Sequence, residues 1–155
     1  MSDSPRWAAA IAVGLLSLIC IESAHAKPSA DRVERAVVAE VNAIRAAAGT
    51  AKLRPAKRLH RVADGHSRTM ARTGRLDHGD WDRRVRVVAD GRAGETIAMM
   101  SGGGRKLARG VVRAWMHSPP HRAILLDPGL RRIGIARRHD GRAWFFTADM
   151  AQRLR

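Results

Sequence analysis

The chain has 155 residues, room for one domain with a hydrophobic core of its own. Its 29 Lys and Arg against 14 Asp and Glu give a formal charge of +15, and the excess is spread along the chain, which excludes a basic tail on a neutral body. A single cysteine excludes an internal disulfide, and four Trp and two Phe with no Tyr argue against a specific nucleic-acid partner held by base stacking.

Residues 1–26 read as an export signal. Arg6 precedes an apolar run from Trp7 to Ile21, and Ala24-His25-Ala26 supplies the small-x-small pattern of a signal-peptidase site. The run has 15 residues where a bilayer span needs about 20, so no transmembrane span is expected once the signal is removed. An uncleaved N-terminal anchor is the alternative. Cleavage takes away Cys20, one basic and two acidic residues, leaving a cysteine-free chain of net charge +16 that is periplasmic or secreted.

Residues 27–32 read as a short linker and 33–153 as the domain. Asp31 and Glu34 form a capping-box signal, and Val33, Val37, Val41 and Ile44 make one apolar stripe on a helix that stops near Gly49. Asn42 and Arg45 are neighbours on that helix, read either as a solvated edge or as support for a cleft. Leu53 is free to tuck inward. A second helix runs from Ala56 to Thr73, and His66 on its apolar side reads as a hydrogen-bonded structural histidine.

Gly74 ends that helix, and a loop over 75–81 carries His78, whose acidic sequence neighbours favour its protonated form. A short helix or turn follows around Trp81 to Val88. Turns at Asp90-Gly91 and Gly94 lead to Glu95, a carboxylate at the head of an apolar stretch, partly buried and therefore paired or protonated. The glycines at 102–104 lack the Lys-Ser or Lys-Thr pair of a phosphate loop.

A third helix spans Lys106 to His117 and is broken by Pro119-Pro120. Ser118 is placed to cap a short helix through Leu126, with His121 in its first turn, where a charged imidazole is disfavoured. The stretches 130–138 and 143–150 read as two strands joined at Asp140-Gly141, with helices covering one face. Helices first and a hairpin last define an α+β domain with a small antiparallel sheet.

Six fragments in order carry a resemblance over 33–150: Val41-Asn42-x-x-Arg45; Ala63-x-x-His66-Ser67-x-x-Met70; Leu76-Asp77-His78; Gly94-Glu95-Thr96-Ile97-Ala98; Trp115-Met116-x-Ser118-Pro119-x-His121-Arg122; and Ile133-Gly134-Ile135-Ala136. The chain resembles the bacterial branch of the CAP or SCP superfamily, that of cysteine-rich secretory proteins, antigen 5 and pathogenesis-related 1 proteins. The resemblance implies a three-layer α-β-α sandwich with an open cleft lined by two histidines and up to two glutamates. His78 and His121 are similar to the histidines and Glu95 to the first glutamate, while Ser118 stands in place of the second. Thr96 replaces the asparagine usual after the Gly-Glu pair.

Two imidazoles and one carboxylate satisfy three positions of a zinc or other divalent metal site, so His78, His121 and Glu95 are the candidate metal ligands. They are also the catalytic candidates, none of them established: no HExxH helix is present, and Ser118 has no orienting acid. Ser118, Asn42, Arg45 and His66 are read as cleft support. The expected function is that of an exported, non-enzymatic binding module for an envelope lipid, glycan or peptide. A metal-dependent hydrolase of an envelope polymer and a cationic surface module that binds polyanions, an acidic envelope surface among them, are the alternatives.

Overall fold

The computed structural model describes residues 30–155, so the expected signal over 1–26 and the first half of the linker over 27–32 lie outside the described residues. The elements are α1 (Arg32–Ala47), β1 (Arg54–Pro55), α2 (Lys57–Thr73), α3 (Trp81–Arg86), β2 (Ala89–Met100), α4 (Gly104–His117), α5 (Pro119–Leu126), β3 (Arg132–His139) and β4 (Trp144–Leu154). Helix α1 starts as its capping box dictates. The Asp31 carboxylate accepts from Glu34 N, and Glu34 Oε2 accepts from Asp31 N, both at 2.8 Å.

The four strands form one sheet in the order β1-β3-β4-β2, with β1 parallel to β3 and the other pairs antiparallel. Sequence patterning shows only β3 and β4. The long strand β2 was hidden by Asp90, Gly91 and Gly94, which read as turn formers. The structure absorbs the first of them in a register shift between Asp90 and Ala93 and continues the strand through Gly94.

Helices cover both faces of the sheet, as the resemblance implies, where strand patterning alone pointed to one. Phe146, Ala148 and Met150 on β4 pack with Val41 of α1, Val111 and Trp115 of α4 and Leu125 of α5. Their alternating neighbours face the other way: Phe145 packs with Met70, and Ala151 with Leu59 of α2 and Val85 of α3. The result is a three-layer α-β-α sandwich. Removing Phe145, Phe146 or Leu59 from water contributes about 1.5–3 kcal/mol each.

Contact between α2 and β3 is set by Gly134. A Cβ at that position would lie 2.0 Å from His60 N and 2.1 Å from Leu59 C, so the helix backbone rests directly on the strand. Ser67 then donates to Ala136 O at 3.0 Å and stands 2.9 Å from Thr147 Oγ1.

The sheet's outer strands are finished by side chains. β1 is only two residues long and ends at Pro55, which has no N–H to continue a ladder. Beyond it His60 Nδ1 donates to Ile135 O at 2.6 Å, and Arg137 N donates to Glu34 Oε1 at 2.9 Å. On the opposite outer strand, Trp115 Nε1 donates to Ile97 O at 2.8 Å.

Candidate functional site

The two helical layers meet beside β2. Glycine at 94 permits this, because a Cβ there would lie 2.6 Å from Ile124 Cγ2 and push α5 off the strand. From the other layer comes the loop after α2, fixed by His66, whose Nε2 donates to Asp77 O at 2.8 Å. The loop turns at Gly79, in the left-handed region with φ of 50°. His78 and His121 face each other across the meeting point, with ring centroids 6.1 Å apart and planes inclined by 56°.

Glu95 sits under His78. Its carboxylate is buried, and both oxygens are taken: Oε1 pairs with His78 Nδ1 at 2.8 Å, and Oε2 accepts from Arg84 Nη2 at 2.6 Å. Arg84 also donates to His78 O at 3.2 Å, so one guanidinium fixes both the acid and the loop backbone. With Nδ1 held by the carboxylate, the outward nitrogen of His78 is Nε2.

Behind Glu95 lies a second acid. Asp149 is its cross-strand partner on β4, has no exposed surface, and accepts from Trp81 Nε1 at 3.2 Å through Oδ1. Oδ2 of Asp149 has no donor among the described residues, and with Glu95 directly across the strand pair the two buried acids are neighbours that a shared proton would reconcile. Burial, and then the neighbouring Glu95 charge, hold the Asp149 carboxyl well above its ordinary value. Burial likewise pushes Glu95 up to about 7 against the pull of Arg84. Since Glu95 already accepts two bonds, the proton belongs on Asp149, which donates it to Glu95.

The histidines are shifted the other way. His78 is held below its ordinary value first by burial and then by the Arg84 charge, which outweigh Asp77. This corrects the expectation from its acidic sequence neighbours, because a guanidinium six residues along is closer in space than the chain order shows. His121 is lowered by burial and then by His78, and His66 by burial and then by Arg84. At neutral pH the cleft presents two uncharged imidazoles.

These groups predict a pH-dependent stability. A carboxyl whose folded value is raised binds more protons in the native state, so its stabilisation is full below the unfolded value and is lost as pH rises through the folded one. For Glu95 the window runs from 4.5 to about 7, and Asp149 acts in the same direction. The depressed histidines act oppositely below their ordinary value but are common to wild type and variant. Asp149→Asn, which keeps a donor toward Glu95 without a proton to lose, is expected to gain roughly 5 °C in Tm over wild type between pH 5 and pH 8, read by thermal melts. A pH-independent difference would show that the acids do not share a proton.

The candidate residues do not all converge. His78, Glu95 and His121 come together, and His66 supports the loop. Glu95, however, is occupied by Arg84 and His78, and among the described residues no three His, Cys, Asp or Glu side chains are grouped to hold a metal ion. Ser118 is the N-cap of α5, but its hydroxyl makes no capping bond. Prolines at the first two helical positions leave His121 with the one backbone N–H among the first three positions of α5.

Asn42 and Arg45 act elsewhere in the scaffold. Asn42 accepts from Leu53 N at 2.8 Å and donates to Leu53 O at 3.0 Å, fixing the approach to β1. Arg45 has no exposed surface, which overturns its reading as a solvated edge. It donates to Ala51 O at 2.8 Å, Leu125 O at 2.6 Å, Asp127 O at 3.1 Å and Leu130 O at 3.2 Å, and so ties α1 to the end of α5. Arg84, Trp81 and Asp149 are the site residues that sequence reasoning missed. The available signal was Asp149 itself, a charge among the apolar residues of a buried strand.

A three-layer sandwich with two imidazoles over a buried carboxylate places the molecule in the class of CAP-type domains. The model of the cysteine-rich secretory protein family matches residues 38–150, and the chain belongs to that family. Solved structures agree on the fold. An outer surface protein of Borrelia burgdorferi superposes with a TM-score of 0.70 at 17% identity, covering 81% of this chain and 96% of that one. An extracellular SCP-domain protein of Bacillus anthracis gives 0.65 at 24%, covering 77% of this chain and 40% of that one. A cysteine-rich secretory protein of Staphylococcus aureus gives 0.64 at 13%, covering 77% of this chain and 38% of that one. This chain therefore spans about two fifths of the latter two. No curated protein matches it.

Proposed function

We propose that this chain is an exported, non-enzymatic binding module of the cell envelope or extracellular space, with His78 and His121 as its ligand-facing pair. The carrying observation is the state of Glu95: buried, with both oxygens engaged at 2.8 and 2.6 Å, it is an orienting group and not a free general base. A hydrolase would need another base, and Ser118, without an orienting partner, does not supply a nucleophile. Export is supported by the signal-like segment at 1–26 and by the structural relatives, among them an outer surface protein and an extracellular protein. No helix among the described residues is long and apolar enough to cross a membrane.

A divalent metal such as zinc suits the imidazole pair as a two-ligand site, with Glu95 fixing the orientation of His78 from behind. Bound there, it would offer open positions to oxygen or nitrogen donors of a ligand. Calorimetric titration with zinc is expected to show one site that is lost in His121→Ala and weakened about tenfold in Glu95→Gln. Equal binding by wild type and His121→Ala would reject the pair as the metal's seat.

A separate feature favours a lipid among the possible ligands. Where β1 stops, α1 and α2 leave a mainly apolar cavity of about 530 Å³ over the β3 strand, walled by Val38, Ala39, Pro55, Ala56, Ile133 and Ile135. Arg35 and Lys57 stand at its rim, and no carboxylate lines it among the described residues. An acyl chain with an anionic head fits this combination. The cavity shares no residue with the histidine cleft, so the two are tested apart. A dansyl-labelled C16 fatty acid is expected to bind the wild type and to lose about tenfold in affinity in Val38→Trp, with folding checked by thermal melt. Equal binding by both proteins would remove the cavity from consideration.

A further inference from the structure

At the end of the sheet where β1, β3 and β4 run side by side there is a groove of about 610 Å³ bordered by five cations, Lys52, Arg54, Arg131, Arg132 and Arg153. The register explains the cluster. Arg54 stands opposite Arg132, Arg132 opposite Ala151, and Arg153 two residues beyond Ala151, so three adjacent strands each put one arginine on the same face. Lys52 comes from the connection into β1 and Arg131 from the residue just before β3.

No carboxylate lines this groove among the described residues. Of its five cations only Arg153 has an acidic partner there, Asp90 at 3.0 Å. Like charges placed directly opposite on paired strands destabilise a sheet, and Arg54 against Arg132 is such a pair. The repulsion is relieved when an anion enters. A concave surface with one sign of charge also focuses its potential, which separates this place from the diffuse positive charge of the rest of the chain.

The lining narrows the ligand. It contains no aromatic side chain on which a base could stack, and its apolar content is limited to Ala51 and Leu154. Guanidinium groups pair with phosphate oxygens through two parallel bonds, and several converging arginines suit an anion carrying more than one phosphate. We propose that this groove is a binding site for a compact multiphosphate anion, whether a free polyphosphate or the phosphorylated head of a lipid. It shares no residue with the histidine cleft or the apolar cavity, so it stands or falls independently of both.

The test is calorimetric titration of the purified protein with inorganic tripolyphosphate. The Lys52→Ser/Arg131→Ser variant removes two exposed groove charges that make no ion pair among the described residues; Arg61→Ser/Arg72→Ser removes two charges from the exposed side of α2 as a control. Saturable one-to-one binding is expected, weakened about tenfold or more in the groove variant and by no more than about twofold in the control. Equal weakening in both variants, or no saturable binding by the wild type, overturns the site. Phosphatidylcholine liposomes with and without phosphatidylinositol bisphosphate identify the source. Cosedimentation that requires the bisphosphate lipid and is blocked by tripolyphosphate supports the groove with a lipid-borne head, whereas tripolyphosphate binding without cosedimentation supports it with a free anion. Cosedimentation undiminished in the groove variant counts against the groove.

Discussion

Arg45→Met is expected to lower the unfolding free energy by roughly 3–5 kcal/mol, measured by guanidinium denaturation. The guanidinium is fully buried and meets carbonyl oxygens of Ala51, Leu125, Asp127 and Leu130, with no carboxylate among its hydrogen-bond partners. Methionine restores much of the volume but donates nothing, so four acceptors lose their donor in a place water does not readily reach. Lysine is no remedy, because one ammonium on a flexible stem cannot span carbonyls set on both sides of a planar fork. The end of α5 and the turn after it are expected to loosen first, seen as faster amide exchange over residues 124–131 than elsewhere. A loss below about 1 kcal/mol would mean that water replaces the guanidinium at little expense.

The second large effect is expected from Gly134→Ala. A methyl group there would sit within 2.1 Å of two backbone atoms of α2, and backbone cannot move aside as a side chain does. The helix must retreat from β3, which opens the contacts of Leu59 and weakens the bonds of His60 to Ile135 and Ser67 to Ala136. Overpacking of this kind destabilises by roughly 3 kcal/mol or more. Gly65→Ala, in the same helix with nothing within 4 Å of the added carbon, is the matched control and is expected to stabilise by about 0.5–1 kcal/mol. Similar melts for the two variants would show that α2 is not seated on the strand as described.

Local signals in the sequence were read correctly where the chain makes its own structure. The Asp31–Glu34 capping box, the glycine at the end of α2, the double proline that starts α5 and the Asp140-Gly141 turn each act within a few residues, and each appears where expected. Long-range pairing is different. β2 is built from residues that taken alone favour turns, and it becomes a strand because β4 offers it a ladder over most of its length. The site divides in the same way. His78, Glu95 and His121 stand out by residue type, whereas Arg84 is one arginine among many until the fold sets it on Glu95. Arg45 is ambiguous in the sequence for a related reason: an arginine on a helix is usually solvated, and only the return of the chain at 125–130 supplies the carbonyls that enclose it.

The finish of the two outer strands bears on how the protein survives at high concentration. A sheet whose rim offers free N–H and C=O groups invites a neighbouring molecule to add itself as the next strand, and repeated addition grows into fibrils. Here the imidazole of His60, the carboxylate of Glu34 and the indole of Trp115 already occupy donors and acceptors along those rims. Three side chains thus act as stoppers against self-templating, a protection that does not depend on the net charge and so persists at salt concentrations where electrostatic repulsion between copies is screened.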